Sequence, residues 1–139
     1  MQTRRRALVW YLRLAAAVLL LALVAVFLPF EWMDAIHRGL GLGDLPQAPI
    51  VGYLTRSLSL LYALFGCLFL AISFDVDRYL TLLRFVSVAS GAFGVGIIVI
   101  DIVVDMPLSW IVGEGVSVLG SAGLLLWLTF RQPPSPNPP

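Results

Sequence analysis

The sequence has no lysine, one cysteine and one histidine among its 139 residues. A single cysteine excludes an internal disulfide and a paired-thiolate metal site. With only one histidine as well, we expect no metal site and no metal cofactor. Cys67 lies inside an apolar run, and we expect it to be a small buried hydrophobic residue.

Charge is also scarce. Charged residues make up 12% of the chain, hydrophobic residues make up 60%, and the mean hydropathy is +0.95. Soluble domains are usually about 25% charged. The nine basic residues are all arginines and are scattered along the chain, which excludes a basic nucleic-acid-binding face. These features predict an integral membrane protein with one domain.

Four segments are apolar over the roughly 20 residues that a helix needs to cross a bilayer. They are residues 7–28, 51–74, 85–105 and 109–130, here called spans 1 to 4. Span 1 ends in FLPFEW rather than a small-residue cleavage site, so we interpret it as a membrane span and not a signal peptide. The short connections predict an antiparallel all-α bundle of four transmembrane helices over residues 1–131. The proline-rich tail, 132–139, is expected to be disordered and cytoplasmic.

The arginines predict the orientation, because cytoplasmic flanks of spans are enriched in basic residues. With four spans, seven of the nine arginines fall on one side and two, Arg38 and Arg56, fall on the other. We therefore expect a multi-pass protein of the inner membrane with both termini in the cytoplasm. The seven are Arg4, Arg5, Arg6, Arg13, Arg78, Arg84 and Arg131.

Loop 1, between spans 1 and 2, is expected to contain a short interfacial helix within PFEWMDAIHRGLGLG. In this helix Asp34 and Arg38 would pair at i,i+4, and Gly39 would cap its end. Three residues are expected to face lipid: Trp32, Met33 and Ile36. The following GLGLGDLP lacks the strand and glycine spacing of a dinucleotide site, so we expect no cofactor there.

Span 3 carries a helical stripe of small and polar residues, and small residues mark contact faces between membrane helices. Its members are Ser87, Gly91, Gly94, Ile98, Asp101 and Asp105. Span 2 has a matching stripe of Arg56, Ser59, Ala63 and Gly66, with Tyr62 alongside. Span 4 offers Glu114, Ser117 and Ser121. Asp101 is therefore expected to face the interior rather than lipid.

Arg56, Asp101 and Glu114 each lie about 6 to 8 Å inside the outer end of their predicted helix. Ionisable groups in membranes usually have a partner or a function. The arginine fork can bridge two carboxylates, and the remaining negative charge would need a proton, water or a cation, or His37 or Arg38 from loop 1. We predict an outward-facing polar cluster of these residues with Asp105, Tyr62, Trp110 and His37.

Structural roles for the same residues remain open. Asp105 precedes a proline in the first turn of span 4 and is predicted to cap that helix. Arg56 could instead extend toward the outer headgroups. The three charged residues could form an ion-pair network that only fixes helix register, and His37 could be an ordinary interfacial residue.

Three motifs together resemble the DoxX-like group of small four-helix membrane proteins. They are RSLSLLYALFG at residues 56–66, DIVVDMP at 101–107, and Glu114 early in span 4. The resemblance covers about residues 50–130 and implies an accessory subunit of a membrane redox system. The architecture is also similar to that of four-span proteins related to sterol isomerases and to the sigma-2 receptor, which use acids inside a helical bundle.

We expect a small accessory or interaction protein without its own catalytic residues, whose polar cluster binds a lipid or small ligand. A membrane enzyme acting on a lipid by acid/base chemistry is the first alternative, with Tyr53, Tyr62 and Trp110 forming its pocket. A proton or cation conduit is the second, although the inner halves of spans 2 to 4 lack acids. Expected partners are membrane lipids, another membrane protein or a second copy, and not nucleic acid.

Overall fold

The computed structural model of the protein describes residues 2–130, and all regular secondary structure in this part of the chain is helical. Its elements are α1 (Gln2–Leu20), α2 (Ala22–Phe27), α3 (Phe30–Gly39), α4 (Pro49–Ile72), α5 (Leu80–Val103), α6 (Leu108–Ile111), a π-helical turn (Val112–Val116) and α7 (Ser117–Phe130). The predicted disordered tail at 132–139 lies outside the described residues.

Four helical stretches are long and apolar enough to cross a membrane. They are Thr3–Phe27, Pro49–Ile72, Leu80–Val103 and Leu108–Phe130. The predicted all-α membrane fold with four spans is therefore confirmed. The first and third begin four and five residues before the predicted spans 1 and 3. Both extensions contain arginines, whose long side chains can carry their charge beyond the apolar region while the backbone stays helical.

The helices divide into two compact units. Of the described residues, 2–11 and 73–130 form the first unit and Leu12–Ile72 form the second unit. Helix α1 contributes its start to the first unit and its remainder to the second. Each unit has its own pair of antiparallel helices.

In the second unit, α1 and α2 run antiparallel to α4 and pack closely at Gly66. A Cβ atom at Gly66 would lie 2.9 Å from Leu20 Cγ and 3.0 Å from the carbonyl oxygen of Ala16. Ser59 and Ala63, earlier on the same stripe, are buried. The predicted contact face of span 2 is confirmed, because only a residue without a side chain fits at this crossing.

The prediction that Cys67 is buried is wrong. Cys67 follows Gly66 directly but is exposed. One step along an α-helix turns a side chain by about 100°, which takes Cys67 off the contact face.

In the first unit, α5 runs antiparallel to α7 and the π-helical turn. A Cβ atom at Gly94 would lie 3.1 Å from Leu119 Cγ and 3.2 Å from Val118 Cγ1. Ser87 and Asp101, on the same predicted stripe as Gly94, are buried. The stripe read from the sequence of span 3 is therefore the face that α5 presents to its neighbour.

Polar contacts near the helix ends complete the first unit. The Tyr11 hydroxyl donates to the carbonyl oxygen of Ser121 at 3.0 Å, and Arg5 Nε lies 2.8 Å from Asp77 Oδ2. Arg84 Nη2 donates to the carbonyl oxygen of Thr129 at 3.2 Å, in the last turn of α7. These bonds attach the chain segment 1–11 and the start of α5 to the rest of this unit.

Loop 1 contains the predicted short helix, now α3. Arg38 Nη2 lies 2.8 Å from Asp34 Oδ2, which confirms their i,i+4 pair. Trp32 and Ile36 are exposed as expected, but Met33 is only 7% exposed, so its predicted lipid-facing position is wrong. On α3 the side chain of Met33 lies about 100° around the helix from Trp32 and about 60° from Ile36, which is enough to turn it to the buried side.

The end of α3 also differs from the prediction. Gly41, with φ of +79°, takes the left-handed position after the helix, two residues beyond Gly39. The N–H of Gly41 donates to the carbonyl oxygen of Arg38 at 3.0 Å, and the N–H of Leu42 donates to the carbonyl oxygen of His37 at 3.2 Å. This pair of bonds is a Schellman motif, and it favours glycine at the residue with positive φ.

Candidate ligand-binding cleft

A cleft of about 600 Å³ lies in the second unit, between α3 and the first turns of α4. Its lining combines one basic, one acidic and several neutral polar residues with apolar ones. The lining residues are Phe30, Glu31, Gln47, Ala48, Pro49, Gly52, Tyr53, Arg56, Ser57 and Leu60. Such a mixture suits an amphiphilic ligand, because apolar walls provide contact area and a few polar groups fix orientation.

Arg56 is held at this cleft by the end of span 1. Its Nε donates to the carbonyl oxygen of Val26 at 3.1 Å, and its Nη2 donates to that of Leu28 at 3.2 Å. The last carbonyls of a helix lack partners within the helix, and Pro29 has no N–H to continue the ladder. A cation is also favoured at a helix C-terminus. The sequence break at Leu28–Pro29 therefore creates the acceptors that position Arg56.

Gly52 gives the guanidinium its space. Arg56 Nη1 lies 3.4 Å from the Gly52 carbonyl oxygen, and a Cβ atom at Gly52 would lie 3.0 Å from the same nitrogen. The bonds to Val26, Leu28 and Gly52 use three of the five N–H groups of the arginine. One N–H on each terminal nitrogen remains for a ligand.

Charge in the cleft is unpaired within the second unit. Among the described residues of that unit, no carboxylate oxygen lies within 4.0 Å of Arg56, whereas Arg38 pairs with Asp34 at 2.8 Å and Asp44 at 3.8 Å. Glu31, in the first turn of α3, is exposed and lines the same cleft. The cleft thus presents one positive and one negative group that do not neutralise each other by direct contact.

The remaining walls extend the amphiphilic character. Ser57 Oγ donates to the Tyr53 carbonyl oxygen at 2.7 Å, which leaves the oxygen of Ser57 able to accept. Glu31 also lines a second depression of about 410 Å³, together with Trp32, Ala35 and Ile36. Polar groups and exposed apolar surface therefore meet at Glu31.

The predicted polar cluster draws on both units. Arg56 belongs to the second unit, while Asp101 and Glu114 belong to the first. The joint cluster of these three residues stays a prediction, and each residue is described below in its own unit.

Asp101 lies in the last turn of α5 and is only 5% exposed. The expectation that its side chain is buried is confirmed. Within residues 2–130, its Oδ2 atom has no hydrogen-bond partner. A buried polar atom without a partner is costly and calls for a specific explanation.

Asp105 does not cap span 4, and that prediction is wrong. It has a positive φ of 55° and follows the end of α5. The N–H of Asp105 donates to the carbonyl oxygen of Ile102 at 3.3 Å, and the N–H of Met106 donates to that of Asp101 at 2.9 Å. These two bonds again form a Schellman motif. The N-cap of α6 is Pro107, with no side-chain hydrogen bond. Asp105 tolerates the left-handed conformation better than most residues.

Glu114 lies half-buried in the π-helical turn, next to the buried Gly115. Ser117 Oγ lies 2.6 Å from the carbonyl oxygen of Gly113 and 2.8 Å from that of Glu114. The Ser117 hydroxyl therefore bonds to backbone carbonyls of the π-helical turn itself. Trp110, also half-buried, lies one turn earlier in α6. Single π turns inside helices occur frequently at functional sites.

His37 and Tyr62 lie outside the cleft lining. The Nδ1 of His37 donates to the carbonyl oxygen of Gly43 at 2.9 Å and so ties α3 to the turn that follows it. Tyr62 is 37% exposed on α4. His37 therefore has a structural partner in loop 1.

Sequence reasoning missed Glu31, Gln47, Gly52 and Ser57 as lining residues. One usable signal was the i,i+4 spacing of Gly52 and Arg56, which leaves room for the arginine along the helix. A second usable signal was the helix break at Leu28–Pro29, which leaves backbone carbonyls free to accept a bond from Arg56. The position of α3 across the start of α4 had no local signal.

These features define a multi-pass membrane protein with four apolar spans and a mixed polar and apolar cleft in one unit. No protein-family model matches the sequence, and no curated protein or solved structure matches it either. The resemblance to DoxX-like proteins therefore stays a prediction from its three motifs.

Proposed function

We propose that this chain is a small accessory protein of the inner membrane that binds a lipid in the cleft beside Arg56. Both termini are cytoplasmic, so α3 and the cleft lie on the outer side. The arginine bias supports this orientation, with Arg38 and Arg56 as the only basic residues on the outer side.

The observation that carries the proposal is the fixed guanidinium of Arg56 in a cleft of about 600 Å³, with no carboxylate oxygen of the second unit within 4.0 Å. An arginine stays protonated in proteins, so it binds anions and does not exchange protons. Its bonds to Val26 and Leu28 hold it in place before a ligand arrives, which lowers the entropic cost of binding. Binding and orientation, rather than catalysis, follow from such a residue.

Lipids that co-purify with the protein test this proposal. The protein would be purified in mild detergent, and bound lipid would be quantified per protein by mass spectrometry. Arg56→Gln is expected to lower bound lipid at least fivefold, because a charge-assisted bond is worth about 1.5 to 3 kcal/mol. Co-purifying proteins in the same samples would identify a membrane partner or a second copy.

A second variant avoids the structural role of Arg56. Ala48→Trp places a large side chain on the cleft lining, and Ala71→Trp makes the same change at an exposed position at the far end of α4. Ala48→Trp is expected to release the lipid, and Ala71→Trp is expected to retain it. Equal lipid content in both variants would refute binding in this cleft.

A membrane enzyme acting on a lipid is the second candidate, and Asp101 supports it. Its buried Oδ2, without a hydrogen-bond partner among residues 2–130, could accept a proton from a substrate. If the protein is such an enzyme, the Asp101→Asn variant is expected to keep its fold but to lose turnover of an added phospholipid. An unchanged rate with Asp101→Asn would exclude it.

A further inference from the structure

We infer that the cleft of the second unit selects a zwitterionic phospholipid, with the phosphate at Arg56 and a primary ammonium at Glu31. This inference rests on the proposed lipid-binding function and names the headgroup that the same cleft would take. The two charged residues line one cleft, on α4 and on α3 respectively.

The positive side of the site is shaped for a phosphate. Three N–H groups of Arg56 are used by the carbonyl oxygens of Val26, Leu28 and Gly52. The two remaining N–H groups lie on different terminal nitrogens, and a planar fork of this kind suits phosphate oxygens. The bonds to the backbone leave the full positive charge in place, because carbonyl groups are neutral.

The negative side of the site is Glu31. In the second unit its carboxylate has no ion pair within 4.0 Å, although Arg56 lines the same cleft. An anionic ligand at Arg56 with a second negative group would meet repulsion from Glu31. A ligand with an ammonium group would gain a charge-assisted bond there instead.

The charges of the cleft sum to zero, with one positive and one negative residue in its lining. A ligand of zero net charge therefore leaves no unbalanced charge at the edge of a low-dielectric region, where such charge is costly. In phosphoethanolamine two methylene carbons separate the phosphate from the ammonium, so its two charged groups would bind two different residues. Leu60 and the exposed leucines after it on α4 would contact the acyl chains.

Native mass spectrometry with added lipid tests the headgroup. The full chain in detergent would be titrated with dioleoyl phosphatidylethanolamine and, separately, with dioleoyl phosphatidylglycerol, which has the same phosphate but no ammonium. We expect phosphatidylethanolamine to bind about tenfold more tightly, since 1.4 kcal/mol corresponds to a factor of ten. Soluble phosphoethanolamine, without acyl chains, is expected to bind far more weakly.

Glu31 variants make the test specific. Glu31→Gln is expected to bring the two lipids within about twofold of each other, and Glu31→Lys to reverse the preference, by removing or inverting one local charge. Asp44→Asn is the matched control, because it removes one exposed acid of loop 1 outside the cleft lining. It is expected to keep the wild-type preference.

The outcomes separate this inference from the proposed function. Arg56-dependent binding without headgroup preference would overturn the zwitterion inference and leave the lipid-binding cleft standing. If neither Arg56→Gln nor Ala48→Trp changes the binding of the two lipids, the proposed function is overturned as well. Equal affinity for soluble phosphoethanolamine would identify a water-soluble ligand and refute a lipid source.

Discussion

The Nε atom of Arg56 donates to the carbonyl oxygen of Val26, 3.1 Å away and 30 residues earlier in the chain. Arg84 makes the equivalent contact in the other unit, where its Nη2 lies 3.2 Å from the carbonyl oxygen of Thr129. In both units an arginine near the start of one helix caps the end of an antiparallel neighbour. These arginines therefore bond to backbone carbonyls at helix ends, where the last carbonyls lack partners within their own helix.

Substituting Arg56 is expected to destabilise the protein. Arg56→Gln should lower the free energy of unfolding by about 1 to 3 kcal/mol, because carbonyls of Val26 and Leu28 lose a charged donor. Arg56→Lys should recover only part of the loss, since one ammonium cannot reproduce the planar fork. Denaturant unfolding in detergent measures both, with Arg4→Lys at an exposed position as the control. Full stability of Arg56→Lys would show that charge alone is needed.

Gly115→Ala is expected to destabilise the first unit by about 1 to 3 kcal/mol, as overpacking usually does. An added Cβ atom would collide with Ile98 Cγ1 and would lie 3.4 Å from the Ile98 backbone nitrogen. The β-branched side chain of Ile98 cannot move aside easily. Gly113→Ala, in the same π-helical turn but with nothing within 4 Å, is the matched control and is expected to be neutral or stabilising.

Combining Gly115→Ala with Ile98→Ala tests whether the loss of stability comes from the contact with Ile98 or from a general effect on the π-helical turn. Ile98→Ala removes the atom that meets the new methyl group. The combined variant should therefore be more stable than the sum of the two single changes predicts. Strict additivity of unfolding free energies would mean that the Gly115 effect arises elsewhere.

Tyr11 is expected to anchor the start of α1 in the first unit. Its hydroxyl bonds to the carbonyl oxygen of Ser121 at 3.0 Å and also to the Ser121 hydroxyl. Tyr11→Phe should cost about 0.5 to 1.5 kcal/mol, a usual net value for a hydrogen bond. Ser121→Ala keeps the carbonyl and should cost less, as measured by thermal unfolding in detergent. A larger loss from Ser121→Ala would place the important bond at the hydroxyl.

The four spans and the contact faces of spans 2 and 3 could be predicted from the sequence, because both depend on local periodicity. Gly66 and Gly94 fall on stripes of small residues, and a helix repeats its faces regularly. The helix ends were less predictable. Asp105 before a proline suggested an N-cap, yet the same residue completes the Schellman motif of the preceding helix. Both roles fit the same short sequence, and only the backbone conformation decides between them.

The cleft could not be predicted for a different reason. The sequence places Arg56 inside span 2, and carboxylates are its expected partners because ionisable groups in membranes usually pair. Its observed partners in the second unit are the carbonyls of Val26 and Leu28, which every sequence has and which no residue type indicates. Glu31 comes beside Arg56 only through the position of α3. The partners of Arg56 are therefore set by the tertiary fold, which brings backbone carbonyls to it, and residue types in the sequence do not indicate them.

Asp101→Asn is expected to stabilise the protein by about 1 kcal/mol, because a neutral amide costs less to bury without a partner than a carboxylate does. Asp101 is 5% exposed, and its Oδ2 has no hydrogen-bond partner among residues 2–130. Asparagine keeps the shape and removes the charge. Asp105→Asn, at an exposed position four residues later, is the matched control and should change stability little. Unfolding free energies in detergent at neutral pH measure both. A loss of stability in Asp101→Asn alone would mean that the carboxylate has a charged partner, as in the predicted cluster with Arg56.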